Sequence, residues 1–188
     1  SNSIFANNGD KRISGSDEIA KSAANIDMRL TNSVTISNRI SIGGVRGLNI
    51  YGGLNTTVTG GIYAGGAGKP AVCLRGSTAT FKGDARFAGV IILGNEGNSN
   101  SKGIEILDAF DYVGLSGDCK VQGYKAIYME SGKNLNIQDA FIDGTNQSIQ
   151  LINANGGHIN IGSQTTFGTK TSGNDILDGK NKKICLLD

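Results

Sequence analysis

The chain of 188 residues contains 29 glycines and a single proline, 38% of its residues are hydrophobic, and its formal net charge is +2. This length suits one buried domain, and a near-neutral charge without a dense basic run argues against a nucleic-acid partner. No stretch approaches the roughly 18 consecutive apolar residues of a membrane-spanning helix, so no membrane span is expected.

Residues 1–27 are predicted to form an N-terminal segment with a capping helix. Ser16 is a favourable N-cap, two acidic residues follow it in the first turn, and Ile19, Ala23 and Ile26 fall on one helical face. A stack of coils leaves the strand edges of its first coil unpaired. We therefore expect this helix to lie over that end of the stack.

Residues 28–188 are predicted to form a repeat region, in which each copy carries three short runs of alternating apolar residues. The clearest copies begin at Ile104, Ile127 and Ile149, which are 23 and 22 residues apart. A partial seventh copy is expected at Ile176/Leu177 and Ile184/Leu186. The predicted inward pairs of the first six copies are Met28/Leu30, Val34/Ile36, Ile40/Ile42, Leu48/Ile50, Thr56/Val58, Ile62/Ala64, Val72/Leu74, Ala79/Phe81, Ala85/Phe87, Ile104/Ile106, Val113/Leu115, Cys119/Val121, Ile127/Met129, Leu135/Ile137, Ala140/Ile142, Ile149/Leu151, Ile159/Ile161 and Thr165/Phe167.

This repeat predicts the fold class. A period of about 20 to 50 residues is typical of stacked repeats, and three strands per copy with unequal corners rich in Gly and Asn favour a right-handed parallel β-helix. The left-handed form has a hexapeptide period that the chain lacks. We expect an all-β solenoid of about six to seven three-strand coils.

The repeat is interrupted once, before the fourth copy. The spacing from Val72 to Ile104 is 32 residues, and the surplus is assigned to an insertion at 94–102 that follows the apolar run Val90–Leu93. Insertions on solenoids form loops on one face, where binding residues concentrate. The predicted binding residues are Asn95, Glu96, Asn98, Asn100 and Lys102.

Glu105, Asp108 and Asp111 cluster on the copy that follows this insertion. Carboxylates in such a group are able to serve glycoside hydrolysis or calcium-assisted lyase chemistry, which makes these three the alternative catalytic residues. The simpler interpretation is a solvated charged face. The chain has no Trp and five Tyr, and this scarcity of aromatic platforms for sugar rings favours a protein without enzymatic activity.

Asp84, Asp118 and Asp139 are predicted to precede the third strand of three successive copies and so to stack at one corner. Stacked carboxylates repel one another, and a calcium ion with oxygen ligands would relieve the repulsion. The simpler interpretation requires no cofactor, because Asp side chains bond their own turn backbone and Arg86 and Lys120 are close in sequence.

Three cysteines and one histidine complete the reactive side chains. Cys73 and Cys185 alternate outward and Cys119 inward, and a bridge between Cys73 and Cys185 would span most of the rod, which exceeds disulfide geometry. We expect three free thiols. His158 lies outward beside Ile159 and has no partner at a catalytic spacing.

The stretch from Met28 to Phe167 resembles the right-handed β-helices of bacterial surface and secreted proteins, namely autotransporter passengers, filamentous-haemagglutinin-like adhesins and phage tailspikes. The resemblance is carried by the copies Ile104–Val121 and Ile149–Phe167. It implies a non-enzymatic stalk or adhesin at the cell surface or outside the cell, which presents a binding surface to a host-surface or glycan ligand. The alternative that it implies is a carbohydrate-active β-helix, as in tailspikes, pectate lyases and hydrolases.

Overall fold

The structure is a computed structural model that describes residues 3–6, 24–43, 45–66, 68–77, 82–108, 110–152, 158–168, 175–178 and 183–187. These residues form seventeen strands in one continuous sheet, and all pairings between the strands are parallel. No helix in the described ranges is long and apolar enough to cross a membrane. The predicted all-β parallel solenoid is confirmed.

The strands are, in chain order, β1 (Ser3–Ala6), β2 (Ile26–Arg29), β3 (Thr35–Ile42), β4 (Leu48–Tyr51), β5 (Thr56–Ala64), β6 (Val72–Arg75), β7 (Asp84–Ala88), β8 (Ile91–Leu93), β9 (Lys102–Leu107), β10 (Tyr112–Ser116), β11 (Cys119–Met129), β12 (Asn134–Ile137), β13 (Ala140–Leu151), β14 (His158–Gly162), β15 (Thr166–Phe167), β16 (Ile176–Asp178) and β17 (Lys183–Leu187).

Strand pairing arranges these strands in three stacks. Face A contains β2, β4, β6, β9, the second halves of β11 and β13, and β16. Face B contains the first halves of β3 and β5, then β7, β10, β12, β14 and β17. Face C contains β1, the second halves of β3 and β5, β8, the first halves of β11 and β13, and β15. One coil is therefore a strand on each face in the order A, B, C.

The core is a column of apolar side chains inside these coils. Ile104, Ile127 and Ile149 are register partners and are fully buried. Because side chains alternate along a strand, every second residue of each face points into the bore. A fully buried Ile contributes roughly 1.5–3 kcal/mol relative to an exposed one, so the repeated apolar positions stabilise the stack. The predicted inward residues of the fourth and fifth coils are confirmed, as are Ile149, Leu151, Ile159 and Ile161 of the sixth. In the last predicted pair, Phe167 packs partly buried against the core, and Thr165 is half-buried and precedes β15.

The corner between faces B and C requires left-handed backbone in five successive coils. The residues there are in register, and their φ angles lie between 49° and 61°. Glycine, asparagine and aspartate tolerate this conformation best among the residue types. The corner residues are Asn38, Gly60, Gly89, Asp118 and Asp139.

The third coil departs from the predicted register. Ala85 and Phe87 lie on face B, where Ala85 pairs with Thr56 and with Val113. The third strand of this coil is β8, with Ile92 buried in the bore. The expectation that Ala85/Phe87 is the third strand was wrong, because Gly89 provides the left-handed corner and the run after it is the face C strand. The predicted pair Ala79/Phe81 lies outside the described residues.

On face C of the first two coils the predicted pairs were wrong by one residue. Ser41 and Tyr63 point inward and are fully buried, whereas Ile42 is 42% exposed. The left-handed corner determines which residues of the face C strand point inward, since the third residue after the corner does so in each of these coils. Ile40, Ile62 and Ile91 consequently line a shallow outer groove of about 300 Å³ on face C.

The N-terminal segment also differs from the expectation where it is described. Ile26 begins β2 and does not end a helix, and Leu30 occupies a left-handed corner with 50% exposure. Residues 3–6 form β1, which pairs with β3. The rest of the predicted capping helix lies outside the described residues.

Candidate functional site

The inserted loop occupies residues 94–101, between β8 and β9, and its own side chains hold its shape. Asn95 Oδ1 accepts a hydrogen bond of 3.0 Å from the N–H two residues further on, and Asn98 Oδ1 does the same. Ser101 Oγ accepts from the N–H of Asn95 at 2.7 Å and donates to the carbonyl oxygen of Lys69 at 3.3 Å. These turns make the loop a defined surface feature that is attached to the preceding coil.

The predicted binding residues of this loop differ in exposure. Asn95, Glu96 and Asn100 are exposed, and Asn98 is half-buried. Lys102 lies at the start of β9, where its ammonium group forms an ion pair with Glu105. The loop therefore presents one carboxylate and two amides to solvent, beside the outer surface of face A.

A polar ladder runs along the outside of face A next to this loop. Asp27, Asn49, Cys73, Glu105 and Tyr128 are register partners on successive coils. Asn49 Nδ2 donates to Asp27 Oδ1 at 2.7 Å, and the thiol of Cys73 lies 3.8 Å from Glu105 Oε2. Asn49 and Cys73 are fully buried although they point away from the bore.

The environment of Cys73 keeps it in the thiol form. Burial raises the pKa of Cys73 to about 12, the Glu105 carboxylate adds to the rise, and Arg46, Arg75 and Lys102 oppose it. The thiolate is the reactive form of cysteine, so this residue is inert as a nucleophile at neutral pH.

Two lysines lie close to one aromatic ring at the edge of the ladder. Lys125 is the register partner of Lys102, and their ammonium nitrogens lie 5.3 and 4.5 Å from the ring centroid of Tyr128. Glu105 pairs with Lys102, whereas no described carboxylate lies within 4.0 Å of the Lys125 ammonium nitrogen. We call Lys102, Glu105, Lys125 and Tyr128 the Tyr128 patch.

Titration of the Tyr128 patch reflects its partial burial. Burial lowers the pKa of Lys125, and the charge of Lys102 lowers it further. Burial raises the pKa of Tyr128, followed by the charges of Glu130 and Glu105. The patch thus holds one more cation than carboxylate in a half-buried setting, where an added anion would be stabilised more than in open water.

The three carboxylates of the catalytic alternative lie on one coil, but each has its own cation. Glu105 is on the outer side of face A, and Asp108 and Asp111 are at the following corner. Asp108 pairs with Arg75 at 2.9 Å, and Asp111 pairs with Lys133 at 2.7 Å. A catalytic role for these residues stays a prediction.

The three aspartates of the calcium hypothesis do not share one corner. Asp84 begins β7 on face B, because Gly89 takes the corner position in that coil. Its carboxylate pairs with Arg86 at 2.7 Å. Asp118 and Asp139 are corner neighbours, and the Asp118 N–H donates to the Asp139 carbonyl oxygen at 3.0 Å. Within the described residues, no group of three or more His, Cys, Asp or Glu is arranged to hold a metal ion. Calcium binding stays a prediction.

The other reactive side chains lie as alternation predicts. Cys73, Cys119 and Cys185 are free thiols, with Cys119 buried in the bore and Cys185 exposed. Cys119 donates to the carbonyl oxygen of Ser116 at 2.9 Å. His158 begins β14 and is exposed.

Tyr128 and Lys125 are the site residues that the sequence analysis missed. The two lysines occupy the same position in consecutive copies, two residues before the first inward isoleucine, in Lys102-Gly-Ile-Glu and Lys125-Ala-Ile-Tyr. Alignment of these copies would have placed Lys102 beside Lys125 and Glu105 beside Tyr128. No family model, curated protein or solved structure matches the chain.

Proposed function

We propose that the chain is a non-enzymatic, extracellular binding module of the stalk or adhesin type, and that the Tyr128 patch and loop 94–101 form its ligand-contacting surface. The observation that supports this proposal is the environment of Lys125, which is a half-buried cation beside a second cation and has no described carboxylate partner. A ligand anion at this position would relieve the repulsion between Lys102 and Lys125.

The chemistry of the patch favours an acidic glycan as the ligand. A carboxylate or sulfate group would pair with Lys125, and the apolar face of a sugar ring would pack on Tyr128. The exposed amides of Asn95 and Asn100 in the adjacent loop are suited to sugar hydroxyls, since an amide both donates and accepts hydrogen bonds. This combination of a few directed polar groups and an aromatic surface is typical of small-ligand sites.

The scaffold supports presentation of such a surface. About six coils at roughly 4.8 Å per coil make a rod of about 30 Å, whose faces are fixed by parallel strand pairing. Binding groups on rigid strands lose little freedom when a ligand binds. A stalk or adhesin segment needs this property, whereas an enzyme also needs a reacting group that is free to exchange protons.

A carbohydrate-active protein is the second candidate. Glu105, Asp108 and Asp111 lie on a single coil, and Glu105 belongs to the Tyr128 patch, which favours this candidate. Their ion pairs with Lys102, Arg75 and Lys133 favour the non-enzymatic proposal, because each carboxylate is already engaged by a cation of the chain itself.

Calorimetric titration with a galacturonic acid hexamer tests the proposal. We expect binding that weakens about tenfold in Lys125→Gln, with no change in the matched control Lys120→Gln, whose ammonium group lies 5.7 Å from the Phe141 ring on face C. Binding that is equal in both variants, or absent, contradicts the proposal. Release of reducing ends or unsaturated products that Asp108→Asn abolishes would establish the enzymatic alternative.

A further inference from the structure

The outer side of face C carries two columns of side chains that run along the rod. Register pairing aligns the residues within each column, from the first coil to the fifth. The first column contains Ile40, Ile62, Ile91, Lys120 and Phe141. The second column contains Ile42, Ala64, Leu93, Gln122 and Asp143. We call these ten residues the face C strip.

In coils one to three this strip is entirely aliphatic and open to solvent. Ile42 is 42% exposed, Ile91 is 37% exposed, and the other four aliphatic residues are half-buried. The shallow groove of about 300 Å³ lies along the first column. The outer sides of faces A and B in the first two coils are polar instead, with Asp27, Asn49, Thr35, Ser37, Thr57 and Thr59. A contiguous exposed apolar surface on one face is typical of a protein interface.

In coils four and five the strip carries one cation and one anion. Lys120 is the register partner of Phe141, and its ammonium nitrogen lies 5.7 Å from the ring centroid. Asp143 lies in the other column, one coil further along, and accepts a 3.2 Å hydrogen bond from Gln122 Nε2. Among the described residues, no ion pair within 4.0 Å includes Lys120 or Asp143. Both charges are therefore able to pair with groups of another molecule.

We propose that the face C strip binds the same strip of a second copy of the chain, in a two-fold symmetric dimer. When the two-fold axis is parallel to the rods, each coil faces the equivalent coil of the partner and the two columns exchange. The aliphatic parts then pack as two stacked sheets do. Lys120 comes opposite the partner's Gln122, one coil spacing of about 4.8 Å from the partner's Asp143. Symmetry forms this ion pair twice.

The two charges select this orientation of the partner. Antiparallel rods that overlap over the same five coils would place Lys120 against Ile62 and Asp143 against Ile42. Each charge would then be desolvated by an aliphatic side chain without compensation, which is costly. Antiparallel overlap of coils one to three alone avoids this cost but loses the contact of the other two coils. Parallel rods bury the aliphatic residues and pair the charges together.

The size of the strip fits a dimer of modest affinity. Five coils at roughly 4.8 Å, with about five residues per strand at roughly 3.3 Å, cover about 400 Å² of flat area per copy. Two copies therefore bury at least about 800 Å², at the small end of the range for specific protein interfaces. We expect association that depends on protein concentration. This dimer goes beyond the proposed function, which rests on face A.

Analytical ultracentrifugation of the chain between about 1 and 500 µM tests the dimer. We expect the average mass to rise towards twice that of one chain. Ile42→Lys and Ile62→Lys should each weaken association at least about tenfold, because each adds a charge to the aliphatic part of the strip. The matched control is Thr57→Lys, which adds the same charge at a half-buried outer position of face B and should leave association unchanged. Melting curves establish that each variant is folded.

Charge reversal tests the orientation. Lys120→Glu and Asp143→Lys should each weaken association about fivefold, because each places two like charges across the interface. The double variant that combines them restores opposite charges and should associate within about threefold of the wild-type chain. A double variant that associates no better than the single variants overturns the proposed orientation.

Two outcomes overturn the dimer itself. One is association that Ile42→Lys and Ile62→Lys leave unchanged, and the other is a wild-type chain that stays monomeric at about 500 µM. If that monomer binds the dye ANS and Ile62→Lys abolishes the binding, the strip is open and fits a different partner. If the monomer does not bind the dye, another part of the same chain covers the strip.

Discussion

Lys125 lies next to Lys102 in the register of face A, and both ammonium groups face the ring of Tyr128. Parallel pairing sets this relationship, because it repeats the same strand position at each coil. It brings two like charges together where Glu105 is the only described carboxylate within 4.0 Å of either ammonium nitrogen. The repulsion between the two ammonium groups lowers the stability of the free protein, and a bound anion would relieve it.

Replacement of Lys125 by Met should therefore stabilise the unliganded protein slightly at pH 7, by up to about 0.5 kcal/mol. The pKa of Lys125 is lowered from its ordinary value of 10.5, so the cost of its charge is complete below the lowered pKa. As pH rises through that pKa towards 10.5, the wild-type chain should regain stability relative to Lys125→Met. Melting temperatures of both proteins at pH 7 and pH 10 measure the difference. A variant that is less stable than wild type at pH 7 contradicts the argument.

Cys73 should react far more slowly than Cys185 with a thiol reagent such as DTNB. The pKa of Cys73 is raised to about 12 by burial, from an ordinary value of 9.0, and this shift alone lowers its thiolate fraction at pH 8 about a thousandfold. Cys185 is exposed and serves as the internal control. Labelling followed by peptide mapping gives both rates, and comparable rates would show that Cys73 is not buried.

Ionisation of the Cys73 thiol should lower the stability of the folded chain at alkaline pH. Because the folded pKa is above the unfolded value, the stabilising contribution of the neutral thiol is fully present below pH 9.0 and is lost as pH rises towards about 12. Urea unfolding from pH 8 to pH 11 should show a smaller decline in Cys73→Ala than in the wild-type chain. An equal decline in the two proteins would assign the loss to other groups.

The repeated apolar positions explain how much of the fold is readable from the sequence. Ile104, Ile127 and Ile149 stack because each coil must fill the same bore. Apolar residues therefore recur in the sequence every 22 or 23 residues. In the first two coils, the left-handed corners at Asn38 and Gly60 determine which residues of the face C strands point inward. In the first coil the apolar residues Ile40 and Ile42 lie on the outer side of the strand and the buried Ser41 on the inner side, so alternation alone predicts the wrong side. In the second coil Ile62 and Tyr63 lie on opposite sides, so alternation alone does not identify which side is inward.

The candidate site was only partly readable for a similar reason. Lys102 ends the predicted insertion and Glu105 follows it, so both lie where the repeat is visibly interrupted in the sequence. Lys125 and Tyr128 belong to the next coil, and their contact with Lys102 is set by pairing between coils. The predicted corner position of Asp84 was wrong because Asp84 begins a strand of face B, whereas Asp118 precedes a strand of face C.

Ile127→Asp and Tyr128→Asp should differ strongly in their effect on stability. Ile127 is fully buried in the bore, so an aspartate there loses apolar burial and leaves a charge without a partner, at a cost of roughly 3–5 kcal/mol. Tyr128 is half-buried on the outside of face A, where an added carboxylate has two lysines nearby, and we expect a loss of about 1 kcal/mol or less. Urea denaturation compares the two variants, and equal losses would show that the inside and outside of face A are wrongly assigned.

The left-handed corner between faces B and C gives the last prediction. Asp118 has a φ of 60°, a conformation that glycine adopts without steric cost, so Asp118→Gly should be neutral or stabilise by up to about 1 kcal/mol. Gly60 has a φ of 58° at the equivalent position of the second coil, and a Cβ atom there would lie only 2.2 Å from Asn38 Oδ1. Gly60→Val therefore combines backbone strain with a clash and should cost about 2 kcal/mol or more. Chemical unfolding of the two variants in parallel measures the difference between them. Destabilisation by Asp118→Gly of more than about 1 kcal/mol would assign a necessary role to the Asp118 carboxylate, such as the predicted calcium binding, and calcium titration of the wild-type chain would then be the next measurement.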